Sequence, residues 1–276
     1  MRKAIFTLLI AIMITPATAM AFDHSYKLWN KDLKQFNQGG YIHYGAWQRN
    51  QTRLKQFLAA MQSVTHRELQ TWTAAQRQAF WINAHNALVV IRLLEVYPAI
   101  HRAHDREWAI AGPKLGIEDI RDKILSGTES KVLIISNVLG RDTSMGPGKN
   151  LRILFAICEG TKNSPPLAAI AYTAKHLSKQ LEQQVQHTLS MPSFLRVEPK
   201  LKTFHVGGFF RTYQRDFKKY QGDALLFERT TASDQGVLRF TFNYLDKATQ
   251  DAILAKQRWP WRVDYHAAQR SLNGGD

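Results

Sequence analysis

Cysteine is almost missing from this chain. Cys158 is the only one in 276 residues, so no intramolecular disulfide can brace the fold and stability must come from an ordinary apolar core. Internal repeats and low-complexity linkers are absent too, which leaves residues 22–276 to form one large domain. Acidic residues are scarce: 22 Asp and Glu stand against 37 Lys and Arg, a formal net charge of +15. Beyond residue 14, no apolar run reads as long enough to be a membrane helix.

What is present begins with an export signature. Arg2 and Lys3 precede an apolar stretch from residue 4 to 14, and the small residues Ala17, Ala19 and Ala21 follow just before Phe22. Residues 1–21 therefore read as a signal peptide, cleaved after Ala19 or Ala21 to release a soluble product into a bacterial periplasm or beyond. Without Arg2 and Lys3, 35 basic residues still face 22 acidic ones. In that compartment the anionic partners are phospholipid headgroups, lipopolysaccharide phosphates and cell-wall polymers rather than nucleic acid. A plain solvated basic surface accounts for the same charge.

The most informative stretch is Phe80-Trp81-Ile82-Asn83-Ala84-His85-Asn86-Ala87-Leu88. Thr73 and Gln76 form a T-x-x-Q capping box, and the periodic run it opens continues to Tyr97, where Pro98 stops it. At 100° per residue, Asn83 and Asn86 share an arc with Ala79, Val90, Leu93 and Tyr97, while Arg77, Arg92 and Glu95 mark the opposite face. The spacing predicts two buried amides, and His85 on the wet side near Arg92. A buried amide without partners costs about 1–3 kcal/mol per group, so the fold must supply them.

Elsewhere, helical spacing runs over 25–38 and 47–61, on either side of Gly39-Gly40 and a short 41–45 segment. A helix is predicted over 117–125, ended by Ser126-Gly127, and a strand over 131–138; the apolar run 151–157 suits either strand or helix. Ser164-Pro165-Pro166 looks like a helix start, with Ser164 as N-cap, Pro165 at the first helical position, and a stripe through Leu167, Ile170, Ala171, Ala174, Leu177, Leu181 and Val185. After it come a strand at 202–206, a helix at 208–220, a strand or short helix at 237–242 and a helix at 248–257. The sum is α+β, mainly helical with a small sheet.

The glycine loop Cys158-Glu159-Gly160-Thr161-Lys162-Asn163-Ser164 is the best place for chemistry, because it delivers its residues to the expected helix terminus. Glu159 is a candidate general acid or base, and Ser164 a candidate nucleophile or a simple cap. Cys158 follows an apolar run, which argues for an inert buried thiol. His101 and His104 beside Asp105 have metal-ligand spacing, but the neighbouring Arg102 and Arg106 repel a cation, and no metal or cofactor is predicted. The segment 211–220 sets aromatic residues on one stripe among basic ones, as in a core helix with a solvated basic face or one lying on an anionic surface.

Together these motifs resemble domain-of-unknown-function family 547, a group with exported bacterial members and no agreed activity. The 80–88 stretch resembles the family's Phe-Trp-Ile-Asn-Ala-Tyr-Asn-Ala signature, and Ile42-His43-Tyr44 its early Val-Asp-Tyr element. Residues 120–125 are similar to Ile-Glu-His-x-Ile-Leu, 152–167 to an Arg-Ile-His-Phe-Ala-Leu-Asn-Cys-Gly run followed by Ser-Cys-Pro-Pro-Leu, and Ser271-Leu272-Asn273 to a terminal Ser-Leu-Asn. The two buried amides Asn83 and Asn86, with Tyr44 from the element similar to Val-Asp-Tyr, are the candidate binding residues. The resemblance also exposes substitutions. The family's Glu-His becomes Arg121-Asp122, a histidine becomes Leu154, one cysteine position holds Glu159 and the other Ser164. A thiol-type site needs those groups. The expectation is therefore a retained scaffold without thiol chemistry: a binding or envelope-associated accessory protein for a small molecule or an anionic envelope component. The alternative is a hydrolase or acyl-transfer enzyme using Ser164 and Glu159.

Overall fold

The computed structural model describes residues 21–99, 106–125, 150–223 and 226–266. Most of the expected leader, the His101/His104 pair, the Ser126-Gly127 stop, the strand at 131–138 and the terminal Ser271-Leu272-Asn273 lie outside the described residues. Chain order begins with α1 (Lys27–Phe36), a hairpin of β1 (Asn37–Gln38) and β2 (Tyr41–Ile42), then α2 (Tyr44–Arg49), α3 (Thr52–Ser63), α4 (His66–Thr71) and α5 (Ala74–Val96). A second hairpin, β3 (Trp108–Ala109) with β4 (Lys114–Leu115), leads to α6 (Asp119–Leu125), which is wound as a π-helix. After it come α7 (Arg152–Ala156), α8 (Leu177–Leu189), β5 (Leu195–Glu198), β6 (Thr203–Val206), α9 (Gly208–Thr212), α10 (Gln214–Phe217), α11 (Ala232–Phe242), α12 (Lys247–Leu254) and β7 (Arg262–Tyr265). The fold is α+β and mainly helical. Its largest described sheet has the order β5-β6-β7, antiparallel then parallel, with Val206 opposite Leu195 on one side and Tyr265 on the other.

Two clusters of apolar side chains hold these elements. The first gathers α1 to α6 around Trp29, Trp47 and Trp81, with Trp29 stacked on Phe57 at 5.8 Å. The second gathers α7 to α12 and the sheet around Phe155, Phe210 and Phe217, with Phe155 stacked on Phe240 at 5.5 Å. Gly39 and Gly40 make the two-residue turn of the first hairpin, both with positive φ, as such a turn requires. A side chain at Gly40 would strike Pro166, so this turn lies directly on the Pro-Pro segment.

Helix α5 is the axis of the first cluster. Thr73 accepts from the Gln76 amide at 3.2 Å while the Gln76 side chain accepts from the Thr73 amide at 2.8 Å, which closes the capping box. Every residue from 79 to 91 is buried, because α2, α3 and α6 pack around the helix. This corrects the expected wet side: His85 is fully buried, and Arg92 is half-buried against Glu118 at 3.7 Å. Among the described residues, α5 is also the one helix long and apolar enough to cross a membrane, contrary to the reading of no such run, although most of its apolar stretch is enclosed by protein.

Three further expectations change. The 47–61 helix is two helices, broken around Asn50 and Gln51, and 208–220 divides at Tyr213. The run 151–157 is helix α7. No helix follows Ser164: the chain stays irregular until α8 begins at Leu177. A proline disfavours helical geometry in the residue before it, so Pro166 holds Pro165 extended and Pro165 does the same to Ser164. Strands β5 and β7, four residues each, carry too little periodicity to be seen in the sequence.

The capping box gives a direct test. Thr73→Ala should lower the unfolding free energy by about 1 kcal/mol in denaturant titration with unchanged slope, because one orphan amide of the central helix loses its partner.

Candidate functional site

The site is organised by the two amides of α5. Asn83 donates to the Tyr172 carbonyl at 2.7 Å and accepts from the Tyr172 amide at 3.0 Å, so one side chain satisfies both backbone groups of one residue. Asn86 donates to the Ala156 carbonyl and accepts from the Cys158 amide, both at 2.9 Å. The tethered chain, residues 157–173, forms no helix and, apart from a single bridge residue at Thr161, no strand, yet much of it is buried. Buried irregular backbone must find its partners among side chains.

Sequence reasoning found two of those partners and missed four. Asn37 donates to the carbonyls of Leu167 and Ala168, each at 3.0 Å, and Asn30 accepts from the Ala171 amide at 2.7 Å. Gln180 donates to the Ala171 carbonyl and accepts from the Thr173 amide, and Gln184 donates to the Pro166 carbonyl at 2.7 Å. The available signal was Gln180 and Gln184, four residues apart beside the stripe of Leu177, Leu181 and Val185. Tyr44, fully buried and stacked on Tyr97 at 5.6 Å, donates to the Gly160 carbonyl at 3.3 Å. Gly160 has φ +73°, and a side chain there would collide with Leu93 and the Tyr44 hydroxyl. Asn83, Asn86 and Tyr44 thus hold the loop itself, and their polar atoms are spent on protein backbone.

Glu159 and Ser164 do come together. They line one cleft of about 210 Å³ with Thr161, Asn163 and Tyr213, and no histidine lines it among the described residues. Their contacts are structural. Ser164 is buried, 5% exposed as a residue, and its hydroxyl accepts from the Glu159 amide and donates to the Thr161 carbonyl, each at 3.0 Å, so it closes a turn instead of capping a helix. The Glu159 carboxylate is bound by Arg121 at 3.0 Å, and the same guanidinium grips both oxygens of Asp122 at 2.7 and 3.1 Å. Arg121 is stabilised in its charged form chiefly by that Asp122 contact. The Cys158 thiol is buried, accepts from the Gly160 amide at 3.3 Å, and burial pushes its pKa up to about 11. It has the inert character expected from the sequence.

His85 is a buried imidazole within electrostatic reach of Arg121 and Asp122. Its Nδ1 lies 3.3 Å from Asn86 Oδ1, while Nε2 is buried without a hydrogen-bond partner. Burial, reinforced by the positive charges of Arg121 and Arg92 and opposed by Asn86 and Asp122, drives its pKa down to about 3. It is held as a neutral core residue. No grouping of three metal-ligating side chains occurs among the described residues. The 211–220 segment buries Phe217 and exposes Arg211, Arg215, Lys218 and Lys219, with Arg211 over the Tyr265 ring at 4.9 Å.

A wider cleft of about 740 Å³ opens on the other side of Ser164. Tyr41, Lys162, Asn163, Phe194 and His266 are among its walls.

Residues 69–187 match the family model described as Protein of unknown function, DUF547, a segment that contains both amides, Arg121, Glu159 and the Pro-Pro turn. No curated protein and no solved structure matches the chain.

The buried imidazole predicts an acid-sensitive fold. An unfolded histidine takes its proton near pH 6.5 and the folded one only near pH 3, so between those values the unfolded state binds the extra proton. The stability due to neutral His85 is complete above pH 6.5 and drains away as pH falls towards 3. His85→Gln should flatten the wild-type loss of unfolding free energy over that window; equal slopes in the two proteins would contradict the assignment.

Proposed function

We propose that this chain, which carries the DUF547 segment at residues 69–187, is an exported binding or envelope-associated accessory protein whose centre no longer performs nucleophilic catalysis. One observation carries the reading: the Arg121–Glu159 ion pair. Arg121 stands where the resemblance expects glutamate, and Glu159 where it expects cysteine. Two substitutions that would each remove a catalytic group here meet and neutralise one another.

The rest of the loop supports the same conclusion. A serine nucleophile needs a base within hydrogen-bond reach, but the acceptors that the Ser164 hydroxyl reaches at 3.0 and 3.4 Å are the Thr161 and Pro165 carbonyls, and the Glu159 carboxylate is committed to Arg121. Cys158 is buried and kept as the neutral thiol at physiological pH. The 740 Å³ cleft is of a size to take a small molecule, and exposed Lys162 on its wall suits a ligand with an anionic group. The leader signature and the excess of basic residues support action in the cell envelope.

Glu159 and Ser164 share one cleft, and that observation favours the alternative, a hydrolase or acyl-transfer enzyme built on this pair. Hydrolysis of short-chain p-nitrophenyl esters and anilides separates the readings. The purified protein should not exceed the buffer rate, Ser164→Ala should leave that baseline unchanged, and iodoacetamide at pH 8 should label Cys158 only after denaturation. Turnover abolished by Ser164→Ala would overturn the binding-protein reading.

A further inference from the structure

We propose that the chain is processed between Ala21 and Phe22, and that the new α-ammonium of Phe22 forms an ion pair with Glu68 that fastens the mature N-terminus to the core. The inference rests on the export reading above and chooses between the two cleavage points the leader offers, after Ala19 or after Ala21.

The geometry is specific to Phe22. Its backbone nitrogen lies 2.9 Å from Glu68 Oε1, across 46 residues of sequence, while Ala21 is exposed. Glu68 is itself set in place: Thr65 caps α4 by accepting from the Glu68 amide at 3.1 Å, and the carboxylate projects from the first turn. The Phe22 ring is equally placed. It meets Phe80 at 5.2 Å, Trp72 at 5.5 Å and Tyr26 at 5.6 Å, and the strap continues with His24 against Trp72 at 4.4 Å. A backbone amide in mid-chain needs only a neutral acceptor. Here the acceptor is a half-buried carboxylate beside an aromatic pocket, a setting that favours a cation.

The step is hydrolysis by a signal peptidase. Water adds to the Ala21 carbonyl, the bond to the Phe22 nitrogen breaks, Ala21 leaves as a carboxylate, and the Phe22 amine takes up a proton to become ammonium. Ala19 and Ala21 then occupy the small-residue positions of an Ala-x-Ala cleavage site. A free α-amine has a reference pKa of about 7.7–8.0, so it is largely charged at neutral pH before any help from Glu68.

Intact mass and N-terminal sequencing of protein recovered from the periplasm of a bacterial expression host should give a chain starting at Phe22. A start at Met20 would overturn the inference while leaving export intact, and an unprocessed chain starting at Met1 would overturn both. The ion pair has its own readout. In the processed protein, acylation of the α-amine by a limiting N-hydroxysuccinimide ester at pH 7 should be several-fold slower than in Glu68→Gln, which keeps a hydrogen-bond acceptor and the same shape. Equal rates in two folded proteins would refute the pairing. A folded version that retains Met20 and Ala21 should melt below the processed chain, and an equal melting temperature would likewise count against it.

Discussion

Burying a length of irregular backbone beside the central helix is the constraint on which the structure turns. Residues 157–173 run through the interior without a ladder of their own, and each unpaired buried group there would cost about 1–3 kcal/mol. Six carboxamides meet that demand: Asn30, Asn37, Asn83, Asn86, Gln180 and Gln184. An amide suits the task because it carries a donor and an acceptor on one rigid plane and can imitate a neighbouring strand. Asn83 does so at Tyr172, where it answers both polar groups of the peptide backbone.

This demand explains why polar side chains survive in the middle of α5. It also separates what the sequence could disclose from what it could not. The capping box, the burial of Asn83 and Asn86 and the α+β class follow from local spacing, because a helix period fixes which residues share an arc. Misreading His85 had a physical cause: an arc predicts the wet side only where water reaches it, and α6 covers that side of α5. The missing helix after Ser164 had another, since the same prolines that suit a first turn also hold their predecessors extended. The four further carboxamides were hidden because their partners lie far along the chain, and no local pattern encodes a partner.

The path of the same loop is set independently of any reactive group. Tyr44, Asn86 and Gly160 fix its path by hydrogen bonds and close packing, none of which depends on a nucleophile. The side chains at 121, 122, 159 and 164 are not among those contacts. The centre they form is electrostatically closed, with Arg121 lying between Asp122 and Glu159. The adjoining 740 Å³ cleft shares Asn163, Ser164 and Gly208 with the smaller one and adds walls of its own from Tyr41, Phe194 and His266.

The carboxamide contacts reach across the chain: Asn86 spans 70 residues to Ala156, Asn83 spans 89 to Tyr172, and Asn30 spans 141 to Ala171. Closing such loops costs entropy before any contact returns it. A nascent chain that has emerged only as far as α6 has made its central helix but has nothing with which to cover its amides. The first half of the protein thus waits for the second, and its interior becomes dry only when both ends of the chain are present.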